Sequence, residues 1–356
     1  MTTRQSPASG LAGKALTVLG PVDPATLGVT LTHEHLLIDF RVVYLKPKDP
    51  REEALAQAPI TLQNLGWVRY NWASSLENLR YEDEQLAVRE VGHYARAGGG
   101  TIVDATSVGL KRNPAALKNI SLATGLKIVM GSGYYVGPSH PPGFGARDVD
   151  DIASEIVGDI TRGVGGTGIR AGLIGEIGCS WPWTDAERKS VQAAVKAQRA
   201  TGAPLLIHPG RGEQAPMEIF DFIVRHGGDP SRTIMGHIER TVFTPRILDE
   251  LAATGVYLEY DLFGHDSSYY PFAPRTYMPN DAQRLEQIER LVSNGHLDRI
   301  VLAHDICSRH RMREYGGHGF DHIPARVVPW MHARGLSRAQ TDRMLIENPA
   351  RVLAFG

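Results

Sequence analysis

The chain has 356 residues, 42% hydrophobic and 22% charged, with 38 Lys+Arg against 39 Asp+Glu and a net charge of -1. That is an ordinary globular composition with enough apolar residues for a large core, and its balanced charge sets aside nucleic acid and anionic membrane as partners. Two cysteines, Cys179 and Cys307, are too few for a disulfide framework or a cysteine-rich zinc module, and they read as small packing residues.

Residues 1–12, "MTTRQSPASGLA", are rich in Ser, Ala and Gly and read as a flexible lead-in without the apolar stretch of a secretion signal. No run of about 18 apolar residues follows, so no membrane span is expected and the expected setting is the cytoplasm. Residues 13–356 read as one domain. It opens with "KALTVLGPVDPATLGVTLTHEH", a short strand, a Gly-Pro turn and a second strand, which together give a short N-terminal β-hairpin. A long polar and aromatic insertion, Arg41 to Glu82, comes next, with helical patterning around "TLQNLGWVRYNW". Ordered insertions of this length usually cover or serve a site.

From there apolar runs alternate with helical segments. The runs are "GGTIVDATSVG", "LKIVMGSGYY", "RAGLIGEIGCS", "GAPLLIHPGR", "SRTIMGHIER", "TGVYLEYDLFG" and "LDRIVLAHDIC", and the run ending in "THEH" makes eight. Between them lie stretches such as "EDEQLAVREVGHYARAG" and "ERKSVQAAVKAQRATG", several closing on Gly as helices that feed a strand often do. Near-continuous apolar strands separated by helices imply a parallel sheet covered on both faces. Eight such units predict a (β/α)8 TIM barrel, with a long insertion after strand 1. The alternative, an open doubly wound sheet, would expect a nucleotide fingerprint. "GVGGTG", Gly163 to Gly168, matches that pattern but precedes a strand, so it reads as a helix-to-strand loop.

The ends of the runs share a chemistry. Run one ends in His33 and His35, run four carries Glu176, run five His208, run six His237 and run eight Asp305. A barrel gathers the carboxyl ends of its strands on one face, so these residues are expected to meet there. Strand periodicity aims His33 and His35 at the axis and Glu34 away from it. Singly, each of the six has a structural explanation. Together and uncompensated they would carry a large desolvation cost, which metal ions would remove. Imidazole nitrogen mixed with carboxylate oxygen suits zinc, and also manganese, cobalt or iron. The six exceed the needs of one four-coordinate ion, and two divalent ions sharing a carboxylate would use them all.

With "THEHLL", "IGEIGCSWP", "IHPGR", "MGHIERT", "LEYDLFG", "LAHDI", "YGGHG" and "IENPARVL", the chain resembles the phosphotriesterase family of the amidohydrolase superfamily from about Leu31 to near its C-terminus. The resemblance implies that His33, His35 and Asp305 hold the more buried metal, that His208 and His237 hold the more exposed one, and that Glu176 bridges them. Many members have a carboxylated lysine at the bridge, and Glu176 here matches the phosphotriesterase-related branch. Other positions depart from the phosphotriesterases. Arg240 in "GHIERT" stands where a proton-relaying Asp falls, although Glu239 is adjacent, and Asp261 is followed by Leu262 where those enzymes have His, or Arg in the lactonases.

The chemistry so implied is metal-assisted hydrolysis by a hydroxide that bridges the metals, with Asp305 as the catalytic group that takes the proton and passes it to the leaving group. The substrate expected by resemblance is a small N-acyl amide such as N-acetyltaurine. A lactone, ester or phosphotriester is the alternative, and a non-catalytic metal-binding scaffold is a second one. Candidate substrate residues on the strand-end loops are Tyr134, Tyr135, His265, Arg275, Arg309, His310 and Arg311. The family also suggests a homodimer.

Overall fold

Eight parallel strands lie side by side in the computed structural model, which describes residues 10–356. In chain order, β1 (Ala15–Thr17) and β2 (Gly20–Val22) form an antiparallel hairpin ahead of β3 (Val29–Glu34). Two short strands, β4 (Ile38–Asp39) and β5 (Arg80–Tyr81), come next. They are followed by β6 (Gly99–Asp104), β7 (Lys127–Ser132), β8 (Leu173–Gly178), β9 (Leu205–His208), β10 (Thr233–Met235), β11 (Tyr257–Tyr260) and β12 (Ile300–Leu302). The large sheet runs β12-β11-β10-β9-β8-β7-β6-β3. Its two ends meet: Thr32 Oγ1 donates to the Leu302 carbonyl at 3.4 Å, and the Asp305 N–H donates to the His33 carbonyl at 3.0 Å. The result is the eight-stranded barrel that the alternation of runs predicts.

Side-chain alternation along the strands explains why the barrel is filled. Ile102, Ile128, Ile174, Leu205, Leu258 and Ile300 belong to the larger apolar cluster with the surrounding helices. Their sequence neighbours Val103, Val129, Leu173, Leu206, Tyr257 and Val301 belong to a second, smaller cluster. Adjacent residues on a strand face opposite ways, so this second cluster is the barrel interior, and Val352 and Leu353 from the C-terminal segment close its lower end. Two residues further along β9 and β11 the inward positions carry His208 and Glu259, where the apolar filling gives way to polar groups.

Several helices begin on residues that satisfy their free N–H groups. Asp83 accepts from Gln85 N, Asn113 from Ala116 N and Asp148 from Asp151 N, while Thr184 with Glu187 and Asn280 with Gln283 form capping boxes. Gly125 and Gly202 end their helices in the left-handed conformation that glycine takes without strain. The motif Gly163–Gly168 lies between the helix Val149–Thr161 and β8, as a helix-to-strand loop.

The insertion after strand one is gathered at its base by β4 and β5, which pair antiparallel through Ile38 with Tyr81 and Asp39 with Arg80. Of the expected flexible lead-in, residues 1–9 lie outside the described residues. Leu11 is buried and Ala12 bridges Phe355. No helix among the described residues is long and apolar enough to cross a membrane.

Candidate metal centre

The ends of β3 and β12 are locked by one carboxylate. Glu34, turned away from the axis, is fully buried and accepts from His304 N at 2.8 Å, His304 Nδ1 at 2.7 Å and Ile306 N at 3.0 Å. This holds Asp305, which lies between the donor residues His304 and Ile306, over the barrel mouth. Asp305 and His237 both have positive φ, 49° and 53°, without being glycine. Such strain is costly and concentrates where a side chain must be aimed.

His33, His35, Glu176, His208, His237 and Asp305 come together. Two groups of three have potential ligand atoms all within 4.8 Å of one another: His33 with His35 and Asp305, and Glu176 with His208 and His237. Glu176 lies between the groups. Its Oε1 is 3.4 Å from His35 Nε2, and its Oε2 is 2.9 Å from His208 Nδ1, 3.6 Å from His33 Nε2 and 3.8 Å from His237 Nε2. Asp305 Oδ1 is 3.2 Å from His35 Nε2.

The opposite edges of the rings are anchored. His35 Nδ1 lies 2.9 Å from Thr106 Oγ1. His33 Nδ1 is 3.0 Å from both Glu259 Oε2 and Asp261 Oδ2, and His237 Nδ1 is 2.8 Å from Asp261 Oδ1. His33, His237 and Asp261 form a third group of closely spaced ligand atoms. Asp261 also accepts from the His237 backbone N–H at 3.0 Å, so its oxygens already face three donors, which makes it an orienting carboxylate behind two imidazoles. Gly236 leaves room for this arrangement, because a Cβ there would stand 3.1 Å from Asp261 Oδ2 and 3.0 Å from the Ile207 carbonyl.

The donor set fits divalent metal ions. His33 Nε2 is buried without a hydrogen-bond partner, and His237 Nε2 and His208 Nδ1 face each other at 2.7 Å. Four carboxylates, Glu176, Glu259, Asp261 and Asp305, surround the imidazoles, three of them nearly or fully buried. Burial disfavours a charged His35, but Asp305 and Glu176 outweigh it and push the imidazole up to about 9. Burial likewise opposes a charged His33, and the Glu176 charge with the Asp261 and Glu259 contacts raises it well above the ordinary value. Burial pushes Glu259 up to about 7. At His208 burial and the His237 charge act the other way and hold the imidazole well below its ordinary value. The pull on positive charge therefore comes from the carboxylates around His33 and His35, where a metal ion would supply it without protonating the donors.

Of the candidate substrate residues, Tyr135 reaches the cluster: it is buried, its ring packs edge-on against His208 at 4.8 Å, and its hydroxyl is 3.4 Å from His208 Nε2. Tyr134 turns away, its hydroxyl 2.8 Å from Glu155 and 2.6 Å from Arg147. Arg309 is held by the Tyr315 hydroxyl at 2.6 Å and by the Arg80 carbonyl, and Arg311 by the carbonyls of Asp305, His304 and Phe263. Arg275 is exposed. His265 and His310 line a 240 Å³ cavity with Arg69, Arg311 and His318. Burial with the Arg311 charge lowers His265 strongly and pushes His310 down to about 3, so neither brings a cation at neutral pH.

The residues that sequence reasoning left unassigned are Glu259, Asp261, Arg211 and Arg240. Glu259 and Asp261 sit at i and i+2 in run seven, the same inward spacing as His33 and His35, and that was the available signal. Arg240 is buried, with Nη2 3.2 Å from both His208 Nε2 and the Pro209 carbonyl. Arg211 Nε donates to the Tyr270 hydroxyl at 2.5 Å. Glu239, next to Arg240, is occupied elsewhere, accepting from Leu262 N at 2.8 Å and Arg284 Nε at 3.1 Å. An aromatic wall links the insertion to the loops: Phe40 stacks with Trp72 at 6.4 Å and meets Tyr135 at 5.9 Å, and Trp72 meets Phe272 at 5.7 Å.

Comparison with known proteins identifies the family. Residues 13–353 match the model of the phosphotriesterase family. A phosphotriesterase-related protein of Nematostella vectensis is 46% identical over 346 residues, 96% of this chain and 99% of that protein. An N-acetyltaurine hydrolase of Salmo salar is 46% identical over 348 residues, 98% and 99% of the two chains. Among solved structures, a resiniferatoxin-binding protein from Rhodobacter sphaeroides superposes with a TM-score of 0.95 at 36% identity, covering 98% of each chain. The chain belongs to the phosphotriesterase family and is a hydrolase.

Proposed function

We propose that the protein hydrolyses a small N-acyl amide, N-acetyltaurine being the leading candidate, with two divalent metal ions held by His33, His35, Glu176, His208, His237 and Asp305. Zinc suits these donors, and manganese, cobalt or iron are compatible with them. The observation that carries the reading is the position of Glu176, with one oxygen 3.4 Å from His35 and the other 2.9 Å from His208. The relatives named N-acetyltaurine hydrolase, which align with nearly the whole chain, support the substrate class.

Bound metal would supply Lewis acidity at the substrate carbonyl and lower the pKa of the attacking water. The chain's own groups do the rest. His33, His35 and Asp305 form one donor set and His208 and His237 the other, with Glu176 spanning both. Asp305 takes a proton from the attacking water as its oxygen bonds to the acyl carbon, then delivers that proton to the amide nitrogen as the C–N bond breaks. The products are a carboxylic acid and a free amine. Proton delivery matters most for amides, because an amide anion is a poor leaving group. Thr106, Glu259 and Asp261 hold the imidazoles from behind, and the wall of Phe40, Trp72 and Phe272 keeps bulk water away.

The test is a panel of N-acetyltaurine, other N-acyl amino acids, lactones and paraoxon with purified protein, zinc-loaded or chelated. Amine release from acyl amides by the zinc-loaded protein is expected. Turnover confined to lactones or paraoxon would overturn the amidase reading, and no turnover by metal-loaded protein would favour a binding scaffold.

A further inference from the structure

Arg240, which is buried, and Arg211, which is partly buried, differ from the other inward-turned arginines of this molecule. Arg284 is paired with Glu239 at 3.1 Å and Asp281 at 2.8 Å, and Arg112 with Asp159 at 2.9 Å. Arg311 is used up by backbone carbonyls. Among the described residues no carboxylate pairs with Arg211 or Arg240. Arg240 has the Thr241 hydroxyl at 3.1 Å, the Pro209 carbonyl and His208 Nε2, whereas Arg211 has the Tyr270 hydroxyl and lies against the faces of Tyr270 and Phe272 at 5.2 and 5.0 Å. A buried guanidinium such as that of Arg240 is costly without a counter-ion, and it stays charged nevertheless.

The tautomer of His208 sharpens this. His208 turns Nδ1 towards Glu176 and His237. If that nitrogen gives its lone pair to a metal, Nε2 must carry the hydrogen, so it cannot accept from Arg240. It then has the Tyr135 hydroxyl, 3.4 Å away, as its acceptor. Arg240 is left with an unfilled N–H beside the centre.

We propose that Arg211 and Arg240 form an anion subsite that takes the sulfonate or carboxylate end of the substrate while its acyl group lies at the metal centre. The inference rests on the acyl-amide reading and adds to it the residues that select among acyl amides. Two planar guanidinium forks, that of Arg211 set against Tyr270 and Phe272, match a small oxyanion. Uncharged amides would leave both cations without a partner.

The test uses zinc-loaded wild type, Arg211→Gln, Arg240→Gln and Arg240→Lys, each checked for zinc content and for a cooperative melt. The kcat/KM ratio for N-acetyltaurine over uncharged N-acetylethanolamine is expected to fall roughly ten- to a hundredfold in either Gln variant, mainly through KM. Arg240→Lys, which keeps the charge and still folds if the Gln variant does not, should recover part of the ratio. Ethanesulfonate binding, followed by calorimetry, reads the subsite without turnover and should be lost in the Gln variants. If neither amide is cleaved but ethanesulfonate binds and the variants lose it, the subsite stands and the amidase reading falls. An unchanged ratio in both Gln variants, or no ethanesulfonate binding to wild type, overturns the subsite.

Discussion

Asp261 Oδ1 lies 2.8 Å from Nδ1 of His237, on the opposite edge of the ring from the nitrogen that faces His208. The same carboxylate reaches His33 Nδ1 with its other oxygen, at 3.0 Å. One buried group therefore fixes the tautomer and orientation of an imidazole in each donor set. Asp261→Asn can satisfy at most one of these ring N–H groups at a time as acceptor. Metal affinity, measured by competition with a chromophoric chelator, should fall about 10- to 100-fold.

Asp305 is assigned both a donor and a proton-transfer role, and the two separate on substitution. Asp305→Asn keeps one oxygen to ligate but cannot accept the water proton. Turnover should drop roughly 10²- to 10⁴-fold, the usual worth of general acid–base catalysis, while elemental analysis shows a much smaller loss of metal. A parallel fall in both would make Asp305 a ligand only.

Metal removal should destabilise the fold, because ions that bind only the native chain stabilise it by mass action. Free metal at a thousand times its dissociation constant is worth about 4 kcal/mol. Chelated protein should melt at a clearly lower temperature, and zinc should restore the Tm. An unchanged Tm would mean that the donors hold no ion in solution.

Away from the centre, Asp281 links two loops of the barrel mouth to its own helix, accepting from His322 Nε2 at 2.7 Å, Gly264 N at 2.9 Å and Arg284 Nη1 at 2.8 Å. Burial opposes its ionisation, but the His322 contact and the Arg284 charge outweigh it and hold the carboxyl below its ordinary value. A carboxylate lowered in the native state stabilises the fold above its unfolded pKa, and that contribution disappears as pH falls through the folded value. Asp281→Asn should therefore cost about 1–3 kcal/mol at pH 7, with the difference from wild type shrinking below about pH 4. Urea denaturation at both pH values checks this, and a pH-independent difference would contradict it.

The barrel and the donor set were legible in the sequence for one reason. Strand residues obey a period of two, so an apolar run that ends in "HEH" or "LIHPG" shows which side chains face inward before any coordinates exist. Glu34, predicted to point away from the axis, does so and pins β12. The loops have no such period. Arg309 and Arg311 looked available because a sequence does not show that carbonyls of Arg80, His304 and Asp305 will occupy their guanidinium groups. Tyr134 and Tyr135 are neighbours on the same loop, yet one hydroxyl goes to Glu155 and the other approaches His208. Arg240 stood out in the sequence as a departure from the family, but its meaning came only from its burial without a carboxylate.

The central claim is that six side chains on five strand ends hold a pair of metal ions. Elemental analysis of the purified, zinc-reconstituted protein tests it most directly, beside His208→Ala. The account predicts two zinc ions per wild-type chain and no more than one in the variant. One ion or none in wild type that hydrolyses its substrate at full rate would contradict it.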